Sequence, residues 1–137
     1  LPMTDTPQAG GAPQPPAPAV LALVADLLFG SRIRGTAAAL GVAVQLVRSA
    51  DELLDRARAA PPRLVLVDLE ARAADPAGTI ARLRAAPEGA GIPIVAFGAH
   101  VNRDAIEAAR AAGATRVLAR SAFVRELPGL LAHPPSA

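Results

Sequence analysis

The sequence predicts an α/β fold: a doubly wound five-stranded parallel sheet in the strand order 2-1-3-4-5. Three observations carry that expectation. Arg63-Leu64-Val65-Leu66-Val67-Asp68-Leu69-Glu70 is a continuous Leu/Val run entered from Pro61-Pro62. It is too short to span a membrane and reads as a strand covered on both faces. Around it, five strand signals alternate with five helix signals, and the connections are short, as in a parallel sheet wrapped by helices. Open sheets of this kind place their chemistry at the C-terminal ends of the strands, so Asp68 stands where a site is expected.

Residues 1–18 hold Pro2, Pro7, Pro13, Pro15, Pro16 and Pro18 with Gly10 and Gly11. Such a stretch cannot bury enough apolar surface to offset its ordering entropy and reads as a disordered tail. Residues 19–133 form the domain, and 134–137 a short C-terminal tail. Val20 to Ala25 is the first strand, ending at Asp26. Phe29, Ile33, Ala37 and Leu40 then recur at helical spacing, with Gly41 placed to stop the helix. Val42 to Val47 is the second strand. Ser49-Ala50-Asp51-Glu52 is a capping box opening a helix that carries Leu53, Leu54 and Ala57, and Glu52 to Arg56 adds an i,i+4 pair.

After the central strand, Asp75-Pro76 is a helix N-cap followed by Pro at the first helical position. Ile80, Leu83 and Ala86 mark that helix's buried stripe, and residues 87–91 close it. Ile92 to Phe97 is the fourth strand. Asn102 caps the next helix, with Val101 and Ile106 spaced as a hydrophobic staple and Gly113 as the stop. Thr115 to Ala119 is the fifth strand. A last helix begins near Ser121 or Phe123, and Pro128 inside it should shorten it, kink it or mark a restart.

Composition narrows the function classes. The chain of 137 residues is large enough to bury a real core, and with 52% hydrophobic but only 2% aromatic residues that core should be aliphatic and alanine-rich. With no Cys, disulfides, thiolate metal sites and thiol nucleophiles are excluded. The isoelectric point near 10.9 suggests a nucleic-acid partner, yet the net charge is only +2. All fourteen cations are Arg, and no Lys, Tyr or Cys is present to titrate. The high value therefore reflects composition, and neither nucleic acid nor membrane is expected as a partner. No apolar stretch reaches the roughly 20 residues of a spanning helix, and no secretory signal is read at the N-terminus, so the expected location is cytoplasmic. Asp26-Leu27-Leu28-Phe29-Gly30 is not a glycine fingerprint for a nucleotide. His100 and His133 are the only histidines, and a loop-surface position is the favoured reading for His100.

The strand ends carry Asp26, Asp68, Gly98 and Arg120, and over residues 19–133 the chain resembles the receiver domain of two-component response regulators, a flavodoxin-like or CheY-like fold. The resemblance puts Asp68 on the phosphoacceptor position, Asp26 on one of the family's two acids with Ala25 on the other, Gly98 on the Ser/Thr position and Arg120 on the lysine position. Val117 takes the place of the family's switching aromatic. Ala71-Arg72 replaces a Met-Pro, and Ser121 replaces the Pro after the lysine. The resemblance implies Mg²⁺ at Asp26, Asp68 and the Glu70 carbonyl, with the Glu70 side chain adding charge, although no cofactor is strictly required. It also admits a reading in which the two acids merely cap loops. Arg120 either clamps Asp68 as a planar bidentate fork or is simply what a lysine-free composition places there.

Two functions follow. The first is a stand-alone atypical receiver, a pseudo-receiver: a non-enzymatic signalling module that binds a kinase or regulatory partner with little or no phosphorylation switching. The alternative is a working receiver phosphorylated on Asp68 in a Mg²⁺-dependent phosphorelay. The family implies kinase contact at the first helix, near Arg32 and Arg34. It also implies a homodimer face on the fourth helix, fifth strand and fifth helix, where Phe123, Leu127 and Leu130 are expected as a small apolar patch among Arg103, Glu107, Arg110, Arg116, Arg125 and Glu126.

Overall fold

A computed structural model describes residues 18–137; of the expected N-terminal tail, all but Pro18 lies outside the described residues. Five strands, β1 (Val20–Leu23), β2 (Val44–Val47), β3 (Leu64–Asp68), β4 (Ile94–Gly98) and β5 (Arg116–Ala119), alternate with five helices. These are α1 (Leu27–Ala39), α2 (Ala50–Ala59), α3 (Pro76–Ala85), α4 (Arg103–Ala112) and α5 (Arg120–Ala132). All pairings are parallel, and the order is β2-β1-β3-β4-β5, as the sequence predicts.

The apolar runs become strands because helices cover both of their faces. Every residue of β1, β3 and β4 is buried, whereas edge strands β2 and β5 are only partly covered. One face carries Leu21, Leu23, Val65, Val67, Ile94 and Ala96 against Leu53 and Ala57 of α2, Ile80 and Leu83 of α3 and Ala109 of α4. The other carries Val20, Ala22, Leu64, Leu66, Val95 and Phe97 against Ile33 and Ala37 of α1 and Phe123, Leu127 and Leu131 of α5. Each fully buried Leu, Ile or Phe contributes about 1.5–3 kcal/mol relative to its exposed state. The period-2 alternation of side chains thus serves both cores from one run.

Local signals set the helix ends. Ser49 Oγ accepts from the Glu52 amide at 3.0 Å, while the Glu52 carboxylate reaches one residue further back than a capping box requires, to the Arg48 amide at 3.1 Å. Asp75 caps α3 through the Gly78 amide and is the only non-glycine residue with positive φ (50°) among those described, a conformation Asp tolerates better than most residues. Gly113, at φ 116°, stops α4. Val101 does not act as a staple: it is 75% exposed. Helix α5 starts at Arg120 and continues through Pro128 without interruption. Pro128 faces solvent while Leu127, Leu130 and Leu131 on either side of it are buried, so packing on the sheet holds both halves in line despite the missing amide.

Arg84, in the last turn of α3, joins the N-terminal ends of β4 and β5. Its guanidinium donates to the carbonyls of Gly113 (2.8 Å), Gly89 (3.0 Å) and Ile92 (2.6 Å) and to Thr115 Oγ1 (3.0 Å). Burial lowers its pKa, since desolvation penalises the charged form.

Candidate functional site

Asp68 ends β3 opposite Phe97 of β4 and is completely buried. Its Oδ1 accepts the Glu70 amide at 2.9 Å, closing a tight turn, while Oδ2 has no hydrogen-bond partner among the described residues. Desolvation pushes the carboxyl pKa above its ordinary value; the Glu70 amide, the Arg120 charge and the Ala25 amide oppose that shift only in part. Arg120, the first residue of α5, brings Nη2 to 3.8 Å from Asp68 Oδ1. That is a single loose ion pair, beyond hydrogen-bond distance. Of the two readings of Arg120, the bidentate fork is not formed; the guanidinium faces the carboxylate while lying over the Phe29 ring, 4.7 Å from its centroid.

The phenylalanines beneath Arg120 are a feature the sequence reading missed. Phe29, Phe97 and Phe123, the only three in the chain, converge from α1, β4 and α5. Phe97 and Phe123 stack at 4.0 Å, and Phe29 lies 5.2 and 5.8 Å from them. The available signal was their scarcity in an aliphatic chain together with their places at the ends or starts of elements.

Asp26 caps α1: its Oδ1 accepts the amides of Leu28 (2.9 Å) and Phe29 (3.2 Å). The reading of this acid as a loop cap is therefore realised. Glu70 is half-buried, with Oε1 4.0 Å from Arg72 Nη2, and its carbonyl accepts the Arg72 amide at 2.8 Å. A hard divalent cation needs several oxygens at once. Among the described residues no three acidic, His or Cys side chains are gathered in a way that could hold one. Asp26 Oδ1 and the Glu70 carbonyl, two of the oxygens the resemblance implies for Mg²⁺, each accept backbone amides. Among the described residues, Oδ2 of Asp68 is the buried side-chain oxygen left without a hydrogen bond.

No protein-family model matches the sequence, and no curated protein matches it. Solved structures match it in three dimensions. The chemotaxis response regulator CheY4 of Vibrio cholerae aligns with TM-score 0.73 at 18% identity, over 85% of this chain and 98% of that one. The receiver domain of a sensor histidine kinase from Pseudomonas aeruginosa, solved with magnesium in its active-site cleft, aligns with TM-score 0.73 at 23% identity, over 82% and 92%. A response regulator from Hahella chejuensis aligns with TM-score 0.73 at 19% identity, over 83% and 92%. The chain has the receiver fold.

Within the receiver fold the remaining expected positions can be located. Gly98 ends β4 beside Ala119, and Val117 lies half-buried one strand over from Ala96. A Cβ built on Gly98 would sit 3.0 Å from Leu69 Cβ, so a Ser or Thr side chain there would require Leu69 to give by a few tenths of an ångström. We expect Gly98→Ser to cost about 1–2 kcal/mol in urea unfolding, as overpacked substitutions do, and Leu69→Gly, which removes the Cβ at 3.0 Å as well as the Cδ1 at 3.4 Å, to relieve part of that cost when combined with it. Simple addition of the two losses would show that Leu69 is not the obstacle.

The apolar dimer patch is corrected by the structure. Phe123, Leu127 and Leu130 are buried against the sheet, because the α5 stripe that carries them is the one facing β4 and α1. What that side offers solvent is charge, with Arg110 paired to Glu107 at 3.1 Å and Arg116 to Glu126 at 2.9 Å. His100 is exposed. No helix of the described residues is long and apolar enough to cross a membrane.

Proposed function

We propose that this chain is an atypical receiver, a signalling module that works by binding another protein and has little or no phosphorylation switching. The observation that carries this reading is the enclosed state of Asp68: fully buried, facing Arg120, with Gly98, which carries no hydroxyl to meet a phosphoryl group, packed closely against Leu69. Phosphoryl transfer needs an accessible carboxylate and preorganised positive charge where negative charge develops. Here the carboxylate is enclosed, and the guanidinium that faces it at 3.8 Å rests on the Phe29 ring. The surface presented to a partner is then a constant one. A kinase or another signalling protein is the class of partner this reading takes, with neither nucleic acid nor membrane involved. No bond is made or broken by the module itself.

A second reading, a receiver phosphorylated on Asp68 in a Mg²⁺-dependent phosphorelay, is favoured by one observation, the unpartnered Oδ2. Incubation with acetyl phosphate and Mg²⁺ followed by intact-mass measurement separates the two. The expected result is an unchanged mass. Addition of one phosphoryl group that is lost in Asp68→Ala would replace the first reading with the second.

A further inference from the structure

We infer that Phe29 is the positioning residue of the Arg120–Asp68 pair, so that the first turn of α1, rather than phosphoryl transfer, sets the state of the pocket; the second half of this inference rests on the reading of the chain as a receiver without a phosphoryl switch. At 3.8 Å the ion pair is too long to hold a flexible arginine by itself, and the Arg120 side chain is 37% exposed. A guanidinium within about 6 Å of a ring centroid is attracted to the ring face, and here the distance is 4.7 Å.

The ring is itself held in place. The Phe29 amide is tied to Asp26 at 3.2 Å, and its side chain rests on Phe97 and Phe123. Phe123 stands three residues after Arg120 on α5, which puts the two on the same side of that helix. A continuous path therefore runs from the Asp26 cap through Phe29 and the Arg120 guanidinium to Asp68. It explains what the retained acid at Asp26 does here: it fixes the ring that fixes the arginine. Leu27 and Leu28, next to Phe29 in the chain, are 65% and 84% exposed, so a protein docking on this turn can reach the path from outside.

The test reads Arg120 directly. In the NMR spectrum of the full chain, the Nε–Hε signal of Arg120, assigned by its disappearance in Arg120→Gln, should be displaced upfield by the ring current, away from the exposed arginines. Phe29→Leu should return it to their position, and Phe29→Tyr should keep the displacement. Melting temperatures of Phe29→Leu, Arg120→Gln and the double variant should be non-additive, the double losing less than the sum. An undisplaced signal in the unsubstituted chain overturns the inference without any variant having to fold, as does additivity of the two losses. Phosphorylation of Asp68 would sink the functional reading, and with it control from α1, whereas an undisplaced signal in an unphosphorylated chain sinks the positioning role alone.

Discussion

Replacing Arg84 with methionine is expected to lower the stability of the fold by about 3 kcal/mol, read from the urea midpoint at unchanged slope. Methionine keeps the apolar stem but removes every donor, leaving the carbonyls of Gly113, Gly89 and Ile92 and the Thr115 hydroxyl without their guanidinium. Hydrogen bonds from a charged group contribute about 1.5–3 kcal/mol each, and partial access of water to this node brings the total well below their sum. Arg84→Lys should recover only part of the loss, since one ammonium cannot span acceptors laid out for a planar fork. A loss below about 1 kcal/mol for the methionine variant would mean that water replaces the guanidinium at little cost. The node also bears on the site: it aligns β4 and β5 at one end, and Gly98 and Arg120 emerge from the other.

Arg84 also marks where sequence reasoning stops. The sheet was legible because burial on both faces writes itself as unbroken Leu/Val runs, and the helices because Ser49, Asp75, Asn102 and Gly113 carry local chemistry that acts within a few residues. The interactions of Arg84 span 29 and 31 residues to Gly113 and Thr115, and nothing near it in sequence sets it apart from Arg82. Pro128 was misjudged because local propensity argues for a break, while the buried leucines around it, a tertiary effect, keep the helix whole. At the site, the positions of Asp68, Gly98 and Arg120 followed from the order of the strands. The direction taken by the Arg120 guanidinium did not, because it depends on a ring ninety-one residues earlier in the chain. The same holds for Asp26. As a residue type it fits a cation ligand or a helix cap equally well, and only the fold shows its Oδ1 accepting the amides of Leu28 and Phe29.

Asp68→Asn should stabilise the protein at neutral pH by about 1–3 kcal/mol, the cost of keeping a buried charged oxygen without a partner. Asparagine preserves the acceptor for the Glu70 amide and removes the charge. The pH dependence supplies the sharper check. Because desolvation raises the Asp68 pKa in the folded chain, the native state holds its proton more tightly than the unfolded state does. That contribution is fully present below the unfolded carboxyl's ordinary value and is lost as pH rises through the raised one, so the unsubstituted protein is at its greatest disadvantage on the alkaline side of that window. The gap between the two proteins, measured by urea unfolding at a series of pH values, should therefore close as the medium is made acidic. Loosening the arginine with Phe29→Leu should widen the neutral-pH gap, since less positive charge then offsets the buried carboxylate. A gap that stayed constant with pH, or an asparagine variant less stable than the parent at neutral pH, would show that Arg120 fully compensates the buried charge and that Asp68 is a structural ion-pair partner rather than an enclosed, poorly satisfied carboxylate.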